Sequence, residues 1–405
     1  MMHWPINIEA LKNKDVAAWT ALIRQRPPLT TARVSSVVEE KVWPWAHLTR
    51  YEISLVGQSD PITLMGIETS ETVVHFYQTV AQELRGMVPY CWWAQLDDED
   101  EGWVVVADAA DDYRPMVWGQ SDVEGVLRRL AEMHSRFWGR YRWLEKQSWM
   151  RAYPGVANAP NLLMSWSERR DEEEEVRHGR GDLLSAHAVR SAGDLAWELR
   201  WAAKGVAVMR DAGGWPSVID EEVLGALLDL LDDPVPMLQP LRGLPVTFVH
   251  GNPFPHHWHV AMDGGEQLLG WQRPLLAPPI IDLVAFCEGF PLVRNHRGQW
   301  QLRPFGAPEV SEQTMIDGYL VHMSRLLGTR FNAREMRQAL PAARCLHFLI
   351  HWCPQIGAWL APTDDWPSQF NLPQPIRRQD FQTVGVWQTY MAEAADRFLF
   401  AYRAL

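Results

Sequence analysis

The sequence predicts an α+β fold built from two lobes. Before about residue 110, β-branched residues alternate with polar ones in several short segments, which favours half-buried antiparallel strands. After that point, apolar residues recur at three- and four-residue spacing over most of the chain, which predicts helices. The length of 405 residues also exceeds the size at which one hydrophobic core usually stops growing. We therefore expect a small antiparallel-sheet N-lobe over residues 1–110 and a larger helical C-lobe over residues 111–405.

The N-lobe elements are separated by clear breakers. Pro27 and Pro28 end the first helix because proline cannot continue it, and Gly86 ends the second. The predicted elements are, in order, a helix over 8–26, strands between 33 and 68, a helix over 71–86, and strands over 90–96 and 102–107.

The C-lobe opens with a long helix, at whose start Ser121 and Glu124 form a capping-box pattern. Residues 246–272 then change to short β-type segments, and the dipeptide Asp263-Gly264 between two of them predicts a hairpin. The other predicted helices lie at about 160–176, 183–212, 219–232 and, in several pieces, 282–405.

Composition argues against several classes of function. Apolar residues are 47% of the chain, yet no stretch reaches the roughly 20 apolar residues that a membrane-spanning helix needs. The first residues lack the basic segment and apolar run of a secretion signal, so we expect a cytoplasmic protein away from membranes. A net charge of -12 argues against a nucleic-acid partner, because phosphate binding depends on clustered Lys and Arg.

The cysteines and tryptophans say less about function than the charge and the apolar content do. The 4 cysteines lack the spacing of a zinc site or a disulfide framework, so reduced core thiols are expected. The 22 tryptophans are often close together, as at Trp92-Trp93. Tryptophan fills cores and is also favoured at ligand and protein contact surfaces, so both interpretations stay open.

Three motifs point to a family. They are LAEMHSRFWG at 130–139, VHGN at 249–252, and LGWQRPLLAPPIIDLVAF at 269–286. In this order, after an N-lobe of strands and one helix, they resemble the aminoglycoside-phosphotransferase-like families, which include choline- and ecdysteroid-kinase-like proteins. The resemblance implies a protein-kinase-like fold whose C-lobe carries a catalytic loop and hairpin.

The resemblance also implies catalytic positions, and most of them have lost their chemistry. Asn252 stands where the family has a carboxylate after His250, and an amide cannot accept a proton. His257 and Gly270 stand where the family has an asparagine and an aspartate as metal ligands. Magnesium prefers hard oxygen ligands, so neither residue suits it. Asp282 is retained, and we expect its carboxylate to accept backbone N–H bonds from the His250 loop.

The N-lobe shows the same pattern. The family's phosphate-clamping lysine corresponds to Met65, or to Gly66 if the register differs by one, and the glutamate that holds it corresponds to Val73. The strand thus offers no cation. The segment KVWPWAHLTRY, residues 41–51, has no glycine that would let backbone amides approach a triphosphate.

These losses predict a pseudokinase that acts as a binding, regulatory or partner module. No cofactor is predicted, and the expected partner is an unidentified small molecule or protein in the interlobe cleft. We expect Asn252, His257 and Gly270 to lie together at the mouth between the lobes, with Asp282 beneath the His250 loop.

The alternative is an active phosphotransferase of a hydroxylated small molecule, or another chemistry in the same cleft. ATP and magnesium are expected only in that case. Lys41 would then be a candidate phosphate contact, although a solvent-facing strand residue beside Glu39 is favoured. His256, His257 and His259 would be candidate ligands, but no third metal ligand can be named for His257 and His259, which alternation places on one strand face.

Overall fold

The computed structural model describes residues 6–43, 48–97, 101–108, 118–153, 184–261, 265–294, 300–303, 310–361, 366 and 381–405. The chain divides into two compact units. The first unit contains Met1–Arg114 and His257–Arg273, and the second contains Pro115–His256 and Pro274–Leu405. The division differs from the predicted domains in two respects: the first boundary lies after Arg114 and not after residue 110, and most of the 246–272 segment groups with the N-terminal unit.

The first unit contains a five-stranded sheet in the order β1-β2-β3-β5-β4, in which every neighbouring pair is antiparallel. With the helices of the second unit, this sheet confirms the predicted α+β class. Its strands are β1 Val34–Trp43, β2 Leu48–Leu55, β3 Ile62–Thr69, β4 Cys91–Leu96 and β5 Gly102–Ala107.

Helices cover the first unit's core. The helix predicted over 8–26 is two helices, α1 Ile8–Lys12 and α2 Val16–Ile23. The break occurs because the Asp15 side chain accepts the amides of Ala17 and Ala18 and so starts a new helix. The third helix, α3, is Glu71–Thr79.

Aromatic rings fill this core. The Trp19 ring lies 4.9 Å from that of Tyr51 and 6.4 Å from that of Trp103, and all three side chains are buried. The Trp19 indole N–H donates to the Leu11 carbonyl oxygen at 2.9 Å. Here the core interpretation of tryptophan holds, whereas Trp143 in the second unit is 40% exposed.

The hairpin of the first unit is shorter than the predicted segment. Strands β8 Trp258–Val260 and β9 Glu266–Leu268 pair antiparallel, and the turn predicted at Asp263-Gly264 lies outside the described residues. The preceding strand, β7 Thr247–Val249, does not pair with this hairpin. It belongs to a small sheet of the second unit, in the order β6-β10-β7, with β6 Arg151–Ala152 and β10 Leu275–Ala277.

The second unit is mainly helical. Its long helix α4 starts at Gln120, one residue before the predicted cap Ser121, and Asp122 accepts the Gly119 amide there. A second hairpin joins β11 Leu292–Arg294 and β12 Trp300–Leu302. The predicted helix at 160–176 lies outside the described residues. The helices are α4 Gln120–Arg136, α5 Tyr141–Leu144, α6 Ala186–Ser191, α7 Asp194–Asp211, α8 Glu221–Asp232, α9 Val235–Arg242, α10 Ile280–Gly289, α11 Glu312–Leu327, α12 Ala333–Gln338, α13 Leu340–His347, α14 Cys353–Leu360 and α15 Phe381–Tyr402.

An ion cluster ties four of these helices together. Glu288 of α10 is buried and lies 2.9 Å from the Nε of Arg344 on α13 and 2.8 Å from an Nη of Arg397 on α15. Arg344 also pairs with Glu312 of α11. The cluster shares one buried carboxylate between two cations, so its charge is compensated.

Two further observations bear on the predictions from composition. The 4 cysteines are free thiols, and all except the half-buried Cys91 are buried. Within the described part of the chain, no helix is both long enough and apolar enough to cross a membrane.

Candidate functional site

The His250 loop is held by Asp282, as the sequence predicts. Strand β7 ends directly before His250, and Asp282 lies in the first turn of α10. The Asp282 Oδ2 accepts the His250 amide at 2.7 Å, and Oδ1 accepts the Gly251 amide at 2.8 Å. Gly251 has φ +82°, a backbone conformation that glycine adopts without strain. The His-Gly pair and the aspartate therefore form one structural unit.

The same carboxylate is part of a longer buried network. The Nε2 of His134 on α4 lies 3.1 Å from Asp282 Oδ2, and its Nδ1 lies 2.6 Å from the Tyr319 hydroxyl on α11. Burial, with a smaller contribution from the Asp282 charge, raises the pKa of Tyr319 well above its usual range. Tyr319 therefore stays protonated, and its hydroxyl and the Asp282 carboxylate hold the two nitrogens of the His134 ring. Sequence reasoning placed His134 in a motif but missed Tyr319.

Asn252, the next residue of the loop, contacts the His250 ring through its backbone. The Asn252 amide N–H donates to the Nδ1 of His250 at 3.2 Å, so that ring nitrogen carries no proton. The half-buried Asn252 side chain is an amide where the resemblance implies a carboxylate. The loop thus offers no proton acceptor at this position.

Phe254 anchors the loop in the second unit. Its buried ring lies 4.9 Å from the ring of His351 and 5.9 Å from that of His347. A Cβ at Gly289 would lie 2.7 Å from the Phe254 ring, so the ring needs a glycine there. His351 lies in a π-helical turn, Phe348–Trp352, an irregularity that is frequent at functional sites.

In the first unit, His257 and Gly270 are in direct contact. Gly270 has φ +76°, and a Cβ built there would lie 2.8 Å from the Cδ2 of His257. The Leu269 amide donates to the His257 carbonyl oxygen at 2.7 Å, which fixes the two segments together. This confirms the expected proximity of His257 and Gly270. Asn252 belongs to the other unit, and its place beside them stays a prediction.

The residue after Gly270 joins the hairpin to α3. The Trp271 ring stacks on that of Phe76, with centroids 4.0 Å apart, and its indole N–H donates to the Leu268 carbonyl oxygen at 2.9 Å. The Leu268 amide in turn donates to the Met87 carbonyl oxygen at 2.7 Å. Val73, on the same helix as Phe76, is buried in the core.

The register of β3 decides between Met65 and Gly66. A Cβ at Gly66 would lie 2.7 Å from the Tyr51 ring and 3.0 Å from the Trp103 ring, so Gly66 faces the aromatic core. Met65 therefore points to the opposite face, where it pairs with Arg50 on β2 and Val106 on β5. Of the two residues, Met65 is the one that faces away from the aromatic core, and its correspondence to the family's lysine stays a prediction.

Arg50 is a cation that sequence reasoning missed. It lies directly across from Met65, and its Nε donates to the Asp108 Oδ2 at 2.8 Å. An Nη of Arg50 also lies 3.5 Å from a Glu40 carboxylate oxygen. The sheet face thus has a cation beside Met65, but Asp108 and Glu40 neutralise it. Only strand pairing reveals Arg50, because nothing in the sequence states which residue of β2 faces Met65.

The structure describes the remaining predicted site residues only in part. Lys41 lies on β1 opposite Thr49, and nothing of its side chain is described. Residues 44–47 of the glycine-free segment also lie outside the described residues. His259 is buried on β8, whereas His257 ends the 3-10 turn Pro255–His257 before that strand, so the expectation that the two histidines share a strand face is wrong. Across the described residues, no group of three or more His, Cys, Asp or Glu side chains is arranged to hold a metal ion.

Comparison with known proteins gives matches among structures only. Neither a protein-family model nor a curated protein matches the chain. A choline kinase from Cryptosporidium parvum Iowa II is 9% identical, with 95% of this chain and 100% of that chain covered and a TM-score of 0.49. An ethanolamine kinase from Plasmodium vivax is 9% identical, with 96% and 89% covered and a TM-score of 0.45. A spectinomycin phosphotransferase in complex with ADP and spectinomycin is 10% identical, with 95% and 98% covered and a TM-score of 0.44. The chain is thus similar to the kinds of kinase that its motifs resemble.

Proposed function

We propose that this protein is a pseudokinase, a kinase-like binding or regulatory module without phosphotransfer activity. The observation that carries the proposal is the contact between His257 and Gly270. At the position of the implied metal-binding aspartate, the backbone has φ +76° and an imidazole occupies the space beside the α-carbon. An aspartate there would be strained by the backbone and would have to displace the His257 ring, and the residues present do not fit magnesium, which prefers hard oxygen ligands.

The other positions support the same conclusion. Phosphoryl transfer depends on a positioned carboxylate, metal ions and a cation that clamps the phosphates. Asn252 is an amide, Met65 is uncharged, and Val73 is a buried apolar residue. The electrostatic stabilisation that dominates this chemistry is therefore missing from several places at once.

A binding or regulatory role fits a chain that keeps the Asp282-held His250 loop but lacks the side chains for proton transfer, metal binding and phosphate clamping. We propose an unidentified small molecule or protein as the partner, with no resident cofactor, and a cytoplasmic location. Nucleic acid is not proposed as a partner because the net charge is -12, and a membrane is not proposed because the sequence has no apolar stretch of roughly 20 residues.

The direct test is binding and turnover by the unmodified protein. Magnesium-ATP is titrated calorimetrically, and transfer of labelled γ-phosphate is measured against choline, ethanolamine and spectinomycin. We expect no saturable heat at micromolar to low millimolar nucleotide and no labelled product. Micromolar affinity or turnover would overturn the proposal.

The triple variant Asn252→Asp, His257→Asn, Gly270→Asp separates a single lost group from a remodelled site. If only these three side chains were missing, restoring them would bring back magnesium-dependent transfer. We expect no transfer, because Met65 leaves the phosphates without their cation and an aspartate at 270 is strained by its φ of +76°.

The alternative, an active ATP- and magnesium-dependent phosphotransferase, is favoured by one observation, the position of Arg50 across from Met65. In that case Arg50 would replace the clamping lysine. Arg50→Met would then abolish nucleotide binding in the same titration. Lys12→Met is the matched control, since Lys12 pairs with the exposed Glu68, and it would leave binding unchanged.

A further inference from the structure

Two helices of the second unit cross with their backbones in contact. Gly205 of α7 faces α14, where a Cβ at residue 205 would overlap the Cys353 carbonyl oxygen. A Cβ at Gly357 would lie 2.6 Å from the Gly205 α-carbon and 2.9 Å from the Trp366 ring. Because both positions are glycine, the helices and the Trp366 ring pack closely and define a rigid corner.

Trp366 is fixed in this corner. Its indole N–H donates to the Ala361 carbonyl oxygen at 3.0 Å, and its ring is 4% exposed. The ring of Trp201, on α7, lies 5.6 Å away at an interplanar angle of 45°. The two indoles therefore present two faces to the same small space.

The Lys204 ammonium occupies that space. Its Nζ lies 4.8 Å from the centroid of the Trp201 ring and 4.5 Å from that of Trp366. Both distances are within the range at which an ammonium is attracted to an indole face. In the described part of the chain, no carboxylate lies within ion-pair distance of Lys204. Among the described residues, the two indoles are the contacts found for this charge.

We propose that Trp201 and Trp366 form a cation cage whose occupant is the chain's own Lys204. Fixed aromatic faces are the arrangement by which proteins recognise organic ammonium groups. Here the ammonium is supplied by a residue three positions after Trp201, so it is present at high effective concentration. The cage is consequently closed to free ammonium ligands in the unmodified protein, and it opens to them when the Lys204 side chain is removed.

The test is chemical rescue of Lys204→Ala by tetramethylammonium ion. Protein with ¹⁵N-labelled tryptophan is titrated with tetramethylammonium chloride at constant ionic strength, and the Trp366 indole signal is assigned through Trp366→Phe. We expect a saturable shift of this signal in Lys204→Ala, with an affinity about tenfold or more above that of the unmodified protein. tert-Butyl alcohol, a neutral probe of similar shape, should shift the signal of neither protein.

Matched variants decide the outcome. Lys204→Arg keeps a cation in the cage and should behave as the unmodified protein. Should Lys204→Ala not fold, Lys204→Met provides the readout, because the loss of charge must displace the Trp366 indole signal more than Lys204→Arg does. Equal responses of the unmodified protein and Lys204→Ala, or equal displacement by Met and Arg, would overturn the proposal. Neither result depends on nucleotide binding, so the pseudokinase proposal is tested separately.

Discussion

Gly270 combines a left-handed backbone with an imidazole packed against its α-carbon. We expect Gly270→Asp to lower the free energy of unfolding by about 2–4 kcal/mol, because backbone strain and overlap with His257 add to each other. Urea unfolding of the variant measures this cost.

Two alanine variants separate the two contributions. Gly57 has φ +81° and no atom within 4 Å of a Cβ, so Gly57→Ala measures the strain alone, about 1–2 kcal/mol. Gly270→Ala adds the overlap with His257 and should cost more. Equal costs for the two alanine variants would mean that His257 moves away freely.

Asp282 is the second residue whose role can be tested. Its carboxylate accepts two backbone amides and faces the His134 ring. Asp282→Asn replaces an acceptor oxygen by a donor, so we expect a loss of about 3 kcal/mol or more in urea unfolding. Tyr319→Phe removes one hydrogen bond at the far end of the network and should cost about 1–2 kcal/mol. The reverse order would contradict the central role of Asp282.

The contrast between these residues shows what sequence can reveal. The bond of Asp282 to the loop followed from the motifs, because an acid retained without its catalytic neighbours needs a structural reason. Tyr319 and Arg50 were invisible, since Tyr319 is 185 positions from His134 and Arg50 acts through strand register. The space beside Gly270 could not be inferred either, because it depends on a ring 13 positions earlier in the chain.

For the helices and strands, the sequence predicted which elements exist better than where each one begins and ends. The long helix α4 was expected, but its start is set by Asp122 rather than Ser121. The single helix predicted over 8–26 is two helices in the structure, because Asp15 caps the second one. Strand β7 was expected as a short strand before the loop, but its pairing with β10 was not, because sequence periodicity does not specify a strand's partner.

The cluster around Glu288 gives a pH-dependent prediction. Burial by itself raises the pKa of Glu288, but the charges of Arg397 and Arg344 outweigh it and hold the pKa below its usual range. The carboxylate therefore stabilises the fold above the pKa of an unfolded glutamate, about 4.3, and loses that contribution as pH falls through the lower folded value. We expect Glu288→Gln to cost about 3–5 kcal/mol at pH 7, with the difference from the unmodified protein shrinking below about pH 4.

Asp317→Asn is the control for that series. Hydrogen bonds from Gln313 and Arg337 lower the pKa of Asp317 as well, but this pair lies at the surface. Solvent screens it, so the cost at pH 7 should stay below about 1 kcal/mol. Urea unfolding from pH 3 to 7 measures both variants, and a flat Glu288→Gln difference across this range would contradict the assignment.

On the scale of the whole molecule, the N-terminal unit is not continuous in sequence. Residues His257–Arg273 complete it, and the Trp271 ring stacks on Phe76 at 4.0 Å. We expect the fragment 1–114 to unfold at lower urea than the same fragment with 257–273 joined through a flexible Gly/Ser linker. Circular dichroism follows the transition.

The control is the joined fragment carrying Trp271→Ala. It keeps the added chain length but loses the stacked ring, whose burial is worth about 3–5 kcal/mol. Its midpoint should fall toward that of the fragment 1–114. A fragment 1–114 that unfolds at the same urea concentration as the joined form would show that the hairpin is dispensable.

The interrupted unit also sets an order for biosynthesis. A ribosome adds residues from the N-terminus at about 5–20 per second, so roughly ten to thirty seconds pass between the emergence of Arg114 and that of Arg273. During that time the nascent N-terminal unit lacks the Trp271 ring that stacks on Phe76 of α3. Domains that fold as soon as they leave the exit tunnel escape this delay. The N-terminal unit of this chain therefore stays incomplete while Pro115–His256 of the helical unit are translated.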